Sequence, residues 1–141
     1  MLRNVVRRSN RRSDCPINFA LQMFGDSWSL LVIRDLMFTD RRTYTDFLNG
    51  EEGMATNILA ARLKQLQEHG LILKRGSGRG AEYALTQKGL DLLPVMLELI
   101  AWSGKHDRRT GAPKDFLARI KNNRSLVIAE IRAALAHRYR L

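Results

Sequence analysis

The sequence has little of what metal sites, disulfides and membrane spans require. Its 141 residues include one cysteine, Cys15, and three histidines that lie far apart. A single cysteine excludes an internal disulfide and a cysteine-based zinc site. No apolar run approaches the roughly 20 residues of a membrane-spanning helix, and no apolar signal-peptide core follows the N-terminal arginines. We therefore expect a cytoplasmic protein that holds no metal or cofactor and has no membrane partner.

Acidic residues are also few, with 14 against 24 lysines and arginines, which gives a formal net charge of +10. Small domains carry a net charge of about 2–8 in magnitude. The excess favours a polyanion, either nucleic acid or an anionic membrane; a basic surface that merely aids solubility is the alternative. The membrane interpretation lacks an aromatic-anchored amphipathic face. No nucleophile–base pair or cofactor loop indicates an enzyme.

Helix start and stop signals divide the first half of the chain. Residues 1–13 are polar and arginine-rich and are predicted to form a flexible basic arm. Pro16 is suited to the first position of a helix, and residues 28–36 carry the apolar stripe of a second helix. Thr43 and Asp46 have the spacing of a capping box, which predicts a short third helix. Residues 54–69 then give a clear helical pattern that Gly70 stops.

In the second half of the chain, the spacing of apolar residues changes from that of a helix to that of strands. Residues 71–75 and 81–85 read as two short strands around a glycine-rich tip, which predicts a β-hairpin. We expect Thr86 to cap a helix that runs to about Trp102, with a kink at Pro94. A polar linker over 103–113 and a helical stretch over 114–139, with a possible break at residues 122–123, complete the chain.

Helices, then a hairpin, then further helices is the order of a winged helix-turn-helix protein. The fold class we expect is α+β, mostly α: a winged helix-turn-helix with a two-stranded β-hairpin wing and terminal dimerisation helices. The DNA-binding domain is predicted over residues 14–104. Residues 105–141 are predicted to be a linker and a C-terminal helical extension used in dimerisation. In this fold the second helix of the motif enters the major groove.

The helix over 54–69 has two distinct faces. At about 100° per residue, three leucines cluster on one side. The other side and its flank carry short, amide or basic side chains suited to base edges: Thr56, Asn57, Ala60, Ala61 and Lys64. An ordinary amphipathic surface helix is the alternative for this pattern taken alone. The hairpin and the net charge shift the interpretation toward double-stranded DNA.

Basic residues around this helix are candidates for phosphate contacts. The wing carries Lys74, Arg75 and Arg79, and guanidinium groups match phosphate oxygens. Arg42 lies in the turn before the third helix. Arg62 lies beside the leucine stripe, so a phosphate contact and an internal brace are equally open for it. Together these residues predict a duplex DNA interface; non-specific nucleic-acid or nucleoid binding is the second hypothesis.

The chain resembles the HxlR family of bacterial transcriptional regulators, relatives of the MarR type, over about residues 14–104. The matching segments, in order, are Cys15-Pro16, Gly25-Asp26-Ser27-Trp28 with the helix that follows, Tyr44-Thr45-Asp46-Phe47, residues 54–63 and residues 82–89. The resemblance implies a homodimer on a pseudo-palindromic operator, with half-sites roughly 34–36 Å apart. It also implies dimerisation through terminal helices. That role suits the final helix and five apolar residues: Leu92, Leu93, Met96, Leu97 and Ile100. These residues could instead close an intrachain core, or serve in both.

Cys15 has two interpretations. Some members of the family sense oxidants through a cysteine near this position, and a helix start with nearby arginines favours the reactive thiolate. Equally, a free cysteine is often a small buried residue that packs its helix, and this second interpretation is the one the sequence favours. No small-molecule effector is indicated.

Overall fold

The computed structural model describes residues 11–141, which form eight helices and a two-stranded sheet. The elements in chain order are α1 (Pro16–Phe24), α2 (Ser29–Phe38), α3 (Tyr44–Leu48), α4 (Thr56–Glu68), β1 (Ile72–Arg75), β2 (Glu82–Leu85), α5 (Gln87–Leu90), α6 (Leu93–His106), α7 (Lys114–Asn122) and α8 (Arg124–Tyr139). The fold is the expected mostly helical winged helix-turn-helix. Of the predicted basic arm over residues 1–13, residues 1–10 lie outside the described part of the chain. No helix within residues 11–141 is long and apolar enough to cross a membrane.

Polar side chains fix the starts of α2 and α3. The Asp26 carboxylate accepts hydrogen bonds from the backbone N–H groups of Trp28 at 2.8 Å and Ser29 at 2.9 Å, and from the Ser29 hydroxyl. Burial acts to raise the pKa of Asp26, but these hydrogen bonds outweigh it and hold the pKa below its ordinary value. At α3 the capping box is confirmed, since Thr43 Oγ1 accepts from the Asp46 N–H at 3.2 Å and Asp46 accepts from the Thr43 N–H at 3.0 Å.

The wing is an antiparallel pair with a third short segment beside it. β1 and β2 pair in a register that runs from Ile72 opposite Leu85 to Arg75 opposite Glu82. Thr43 forms a bridge to Glu82, and the Tyr83 N–H donates to the Arg42 carbonyl at 2.7 Å. The sequence predicts only a turn for residues 39–42. Their end instead pairs with the sheet, which ties the start of α3 to the wing.

Gly89 lets α5 approach the backbone at Leu71, immediately before β1. A Cβ atom at this position would lie 2.1 Å from the Leu71 carbonyl oxygen, so a larger residue would displace the helix. Thr86 Oγ1 accepts from the Gly89 N–H at 3.1 Å and donates to the Gly70 carbonyl at 2.5 Å. The predicted Thr86 cap is confirmed, and the glycine three residues after Thr86 has a packing reason.

The prediction of one kinked helix after Thr86 is wrong. The chain forms two helices there, and Pro94 lies in the first turn of α6 rather than in a helix interior. Proline is tolerated in that turn because its missing N–H would have no helical partner anyway. α6 continues to His106, beyond the expected end at Trp102, so the linker that starts at Ser103 in the prediction is shorter.

One hydrophobic core joins the winged-helix elements to the C-terminal helices. α7 and α8 contribute Ile120, Val127, Leu135 and Tyr139 to the same buried cluster as α2, α4 and the wing. The Tyr139 hydroxyl donates to the Leu36 carbonyl at 2.6 Å, which fastens the end of α8 to α2. The predicted break falls between α7 and α8, at Asn123. Residues from 114 onward therefore pack against their own domain.

Four of the apolar residues expected at a dimer interface lie inside this core. Leu92, Leu93, Met96 and Leu97 are all buried, and Ile100 packs against the cluster. Of the two roles that the sequence left open, the structure shows the intrachain one. A different side of α6 faces outward.

Candidate nucleic-acid interface

Helix α4 presents the face that the helical wheel predicts. Leu59, Leu63 and Leu66 are almost fully buried. On the opposite side and its flank, the described structure leaves exposed all five outward candidates: Thr56, Asn57, Ala60, Ala61 and Lys64. The helix begins at Thr56, two residues later than expected, and Met54 is buried ahead of it. The exposed side chains thus lie mainly in the first two turns.

The N-terminus of α4 is anchored yet open. The Tyr44 hydroxyl donates to the Thr56 carbonyl at 3.0 Å, which joins the first turns of α3 and α4. The N-cap residue is Ala55, whose side chain cannot accept a hydrogen bond. The first-turn N–H groups of a helix have no helical acceptor and carry the positive end of its dipole. These N–H groups can therefore donate hydrogen bonds to a phosphate or to an acceptor on a base edge.

An ion-pair network holds the loop that leads into α4. Arg34 contacts Glu52 at 2.7 Å and Asp35 at 2.9 Å, and Arg41 lies 3.6 Å from Asp35. Asp35 is only 3% exposed, so its charge needs these partners. The hydrogen bond from Arg34 holds the pKa of Glu52 below its ordinary value. The network fixes the approach of the chain to the helix.

Arg62 is an internal brace in this structure. Its guanidinium donates to the Gln65 side chain at 2.7 Å and lies 3.6 Å from the Asp26 carboxylate. Its Nε is buried with no hydrogen-bond partner among the described residues. Of the two roles open for Arg62, the geometry favours the one that ties α4 to the start of α2 over a phosphate contact.

All three basic residues of the wing are exposed: Lys74, Arg75 and Arg79. Gly76 and Gly78 adopt φ values of 90° and 71° that let the tip turn tightly. Arg75 also has a partner, since its guanidinium donates to the Tyr139 carbonyl at 2.6 Å. Arg75 therefore joins the wing to α8 as well as belonging to the basic surface.

Arg42 lies beside residues that sequence reasoning did not include in the site. It lines an open cleft with the end of α8, where His137, Arg138 and Arg140 lie. The run His-Arg-Tyr-Arg over 137–140 is a basic signal in the sequence. Its place beside Arg42 depends on α8 folding back, which no local pattern indicates.

An exposed helix N-terminus, joined to a short preceding helix and followed by a basic hairpin, defines a winged helix-turn-helix protein of the DNA-binding kind. The model of the HxlR-like helix-turn-helix family matches residues 23–110, and the chain belongs to that family. Members of this family are DNA-binding transcriptional regulators rather than enzymes. The resemblance drawn from the motifs is confirmed.

Related protein sequences support the assignment to a family of transcriptional regulators. An uncharacterized HTH-type transcriptional regulator of Synechocystis sp. is 34% identical over 88 residues, which are 60% of this chain and 64% of that protein. Another, from Halalkalibacterium halodurans, is 30% identical over 97 residues, which are 66% of this chain and 85% of that protein. The match thus spans slightly less than two thirds of the Synechocystis relative.

Solved structures agree on the fold. A protein assigned to the MarR family of transcriptional regulators, from Porphyromonas gingivalis W83, superposes with a TM-score of 0.58 at 30% identity. That match covers 67% of this chain and 94% of the other. The reduced form of the transcriptional regulator YodB from Bacillus subtilis gives a TM-score of 0.53 at 26% identity, covering 66% and 94%.

Proposed function

We propose that the protein is a cytoplasmic transcriptional regulator that binds a pseudo-palindromic operator as a homodimer. Helix α4 enters the major groove, and the wing over residues 74–80 contacts the DNA backbone. The observation that carries the proposal is the exposed face of α4, whose opposite side is fixed by buried Leu59, Leu63 and Leu66. A helix held in this way can press its outer face into a groove about 12 Å wide.

The side chains on this face suit base edges. Asn57 can make a bidentate contact with adenine, while the Thr56 methyl and the side chains of Ala60 and Ala61 can contact thymine methyl groups. These side chains are short, so the helix backbone can approach closely. Lys64 lies farther along the helix, 4.0 Å from Glu68, and its long side chain can reach a phosphate.

Backbone contacts would flank the helix on the wing side. Lys74 and Arg79 are exposed on the hairpin, and Arg42 precedes α3 beside the sheet. Arg75 donates to Tyr139 through one nitrogen only, and a guanidinium has further N–H donors for a phosphate oxygen. These contacts supply affinity and register, whereas α4 supplies the sequence preference.

The dimer is supported by an apolar surface different from the one expected from the sequence. Exposed large apolar side chains lie on α1, with Ile17 at 70% and Leu21 at 53% exposure, and on α6, with Leu99 at 45% and Trp102 at 66%. Large exposed apolar patches on soluble proteins mark interaction sites. We assign the homodimer interface to these sides of α1 and α6.

Selection of bound fragments from genomic DNA, followed by titration of the selected duplex and a scrambled one, tests the proposal. Specific binding should exceed binding to the scrambled duplex by roughly 10³–10⁷-fold. Equal affinity for both would overturn the operator assignment in favour of non-specific nucleoid binding.

A further inference from the structure

The end of α8 adds basic residues, not included in the surface assigned above, to a cleft that Arg42 also lines. An open cavity of about 660 Å³ is lined by Arg42, Ala136, His137, Arg138, Arg140 and Leu141. Three of these six residues are arginines, and they come from two segments almost 100 positions apart in the chain. The match to the HxlR-like family ends at residue 110, so α8 lies beyond the part that the family model describes.

Several contacts fix the α8 side of the cleft. The Tyr139 hydroxyl donates to the Leu36 carbonyl at 2.6 Å, and Arg75 donates to the Tyr139 carbonyl at 2.6 Å. Arg138 donates to the Thr39 carbonyl at 3.0 Å. These bonds join the end of α8 to both α2 and the wing, so the helix end that carries the basic residues is fixed by the protein's own contacts.

The cleft has more positive charge than its own acidic groups balance. Arg138 pairs with Asp40 at 3.4 Å. Within residues 11–141, Arg42 and Arg140 form hydrogen bonds through their backbone groups only, and their guanidinium groups have no hydrogen bond or ion pair. Burial raises the pKa of Tyr139, while the charges of Arg138, Arg42 and Arg75 oppose that rise. The positive charges of three arginines therefore reach the Tyr139 hydroxyl, beside the cleft.

The position of the cleft favours DNA over a small anion. Arg42 lies two residues before Tyr44, whose hydroxyl donates to the first turn of α4 at Thr56. On the other side, Arg75 lies at the end of β1, where the wing tip begins. The cleft thus lies beside the base of the wing and the segment that leads into α3, and it is open to solvent as a backbone phosphate requires.

We propose that the end of α8, through Arg140 with Arg42 across the cleft, is a third DNA-contacting element that binds a backbone phosphate next to the wing. This inference rests on the proposed operator-binding function. Such a contact would add affinity without base preference, because phosphates carry no sequence information. It would also make the C-terminal extension part of the binding surface.

Salt titration of duplex binding by the full chain tests this element. Arg140→Gln should bind the selected and scrambled duplexes roughly three- to tenfold more weakly at about 0.1 M salt, and the slope of log K against log salt should flatten by about 0.9 per protomer. Arg140→Lys should keep the slope because it keeps the charge. Arg132→Gln, the same charge change on α8 at a residue paired with Asp91, should match wild type.

Two further measurements separate the possible failures. Arg79→Ala in the same titration reports on the wing: if it flattens the slope and Arg140→Gln does not, the third element is wrong while the proposed function stands. If wild type binds neither duplex, the proposed function fails. Inorganic phosphate and pyrophosphate are added without DNA as small-anion probes. Millimolar stabilisation of wild type that Arg140→Gln loses, with an unchanged DNA slope, would overturn the proposal in favour of a small-anion site.

Discussion

Arginines of similar sequence context have different roles in this protein. Arg62 is engaged by Gln65 and Asp26, and Arg75 by the Tyr139 carbonyl. Arg79 is exposed at the wing tip. A guanidinium already bound inside the protein must give up or share those bonds to reach DNA, whereas an exposed one need not. At the scale of single residues, exposure and existing partners thus rank the candidates for DNA contact.

We expect Asn57→Ala to relax sequence preference. Asn57 is exposed in the first turn of α4, and a bidentate amide–base contact contributes about 1–3 kcal/mol of discrimination. Titration of the selected operator against single-base variants measures the effect: the variant should lose discrimination at one position of each half-site and bind the scrambled duplex as wild type does.

Arg79→Ala is the contrasting variant for this prediction. It should weaken binding to all duplexes alike and flatten the salt slope by about 0.9 per protomer, since it removes a phosphate contact. A change in base preference caused by Arg79→Ala would show that the wing assignment is wrong.

Cys15 is exposed at the N-cap of α1, so within the described chain it does not serve as the buried packing residue that the sequence favoured. The sensor hypothesis stays a prediction. If it holds, an oxidant should weaken operator binding by wild type and leave Cys15→Ser unaffected, as measured by titration before and after peroxide treatment. Equal responses of the two proteins would remove Cys15 from any regulatory role.

At the scale of elements, polar caps position the helices that carry the interface. The capping box of Thr43 and Asp46 starts α3, and Asp46 also accepts from the Arg42 N–H at 2.9 Å. The same segment pairs with β2 through the Thr43–Glu82 bridge. One short stretch therefore orients α3, the wing and, through Tyr44, the start of α4.

This cap predicts a pH-dependent stability difference. Hydrogen bonds from the N–H groups of Arg42 and Thr43 hold the pKa of Asp46 below its ordinary value of 3.8. A lowered pKa in the folded state means that the contribution is present above the unfolded pKa and is lost as pH falls through the folded value. Asp46→Ala should lower the free energy of unfolding by about 1 kcal/mol at pH 7, and the difference should shrink below about pH 4.

Urea unfolding at pH 7 and at pH 3 measures this difference. Glu51→Ala serves as the control, because Glu51 is exposed and has no ion pair within the described residues. A difference between wild type and Asp46→Ala that stays constant across this range would contradict the role of the carboxylate charge.

At the scale of the whole molecule, the chain's own packing covers one side of the core and leaves apolar side chains of α1 and α6 exposed. The C-terminal helices close the core on one side, where Val127 and Leu135 are buried. On α1 and α6, Ile17, Leu99 and Trp102 stay exposed. A monomer with this apolar surface is expected to pair, and two copies would set the spacing of the two α4 helices on DNA.

Leu99→Lys should therefore favour the monomer. The leucine is 45% exposed, so the substitution should leave folding intact, while a charge buried at the interface without a partner is costly. Sedimentation equilibrium should show dimer affinity lowered at least about tenfold, with operator binding weakened in parallel. Leu126→Lys, at an exposed leucine on α8, is the matched control, and an unchanged dimer in Leu99→Lys would contradict the interface assignment.

Much of the fold and part of the site followed from local patterns. Leu59, Leu63 and Leu66 recur at helical spacing, which by itself predicts the outward face of α4 with Asn57 on it. The two strands and the glycine tip predict the wing in the same way. The kink at Pro94 was predicted wrongly because a periodic apolar pattern continues through the break between α5 and α6.

The sequence by itself determined which sides of the helices are buried, where α3 is capped and that a basic hairpin follows α4, because these depend on residues a few positions apart. Only the tertiary structure decided that Arg62 is a brace, that four apolar residues of the 92–97 segment (Leu92, Leu93, Met96 and Leu97) serve the core, and that the end of α8 lies beside Arg42. The hydrogen bonds that position the end of α8 join residues 64 and 103 positions apart, from Arg75 to Tyr139 and from Tyr139 to Leu36. Such contacts depend on how the helices pack, which the spacing of residues within one helix does not specify.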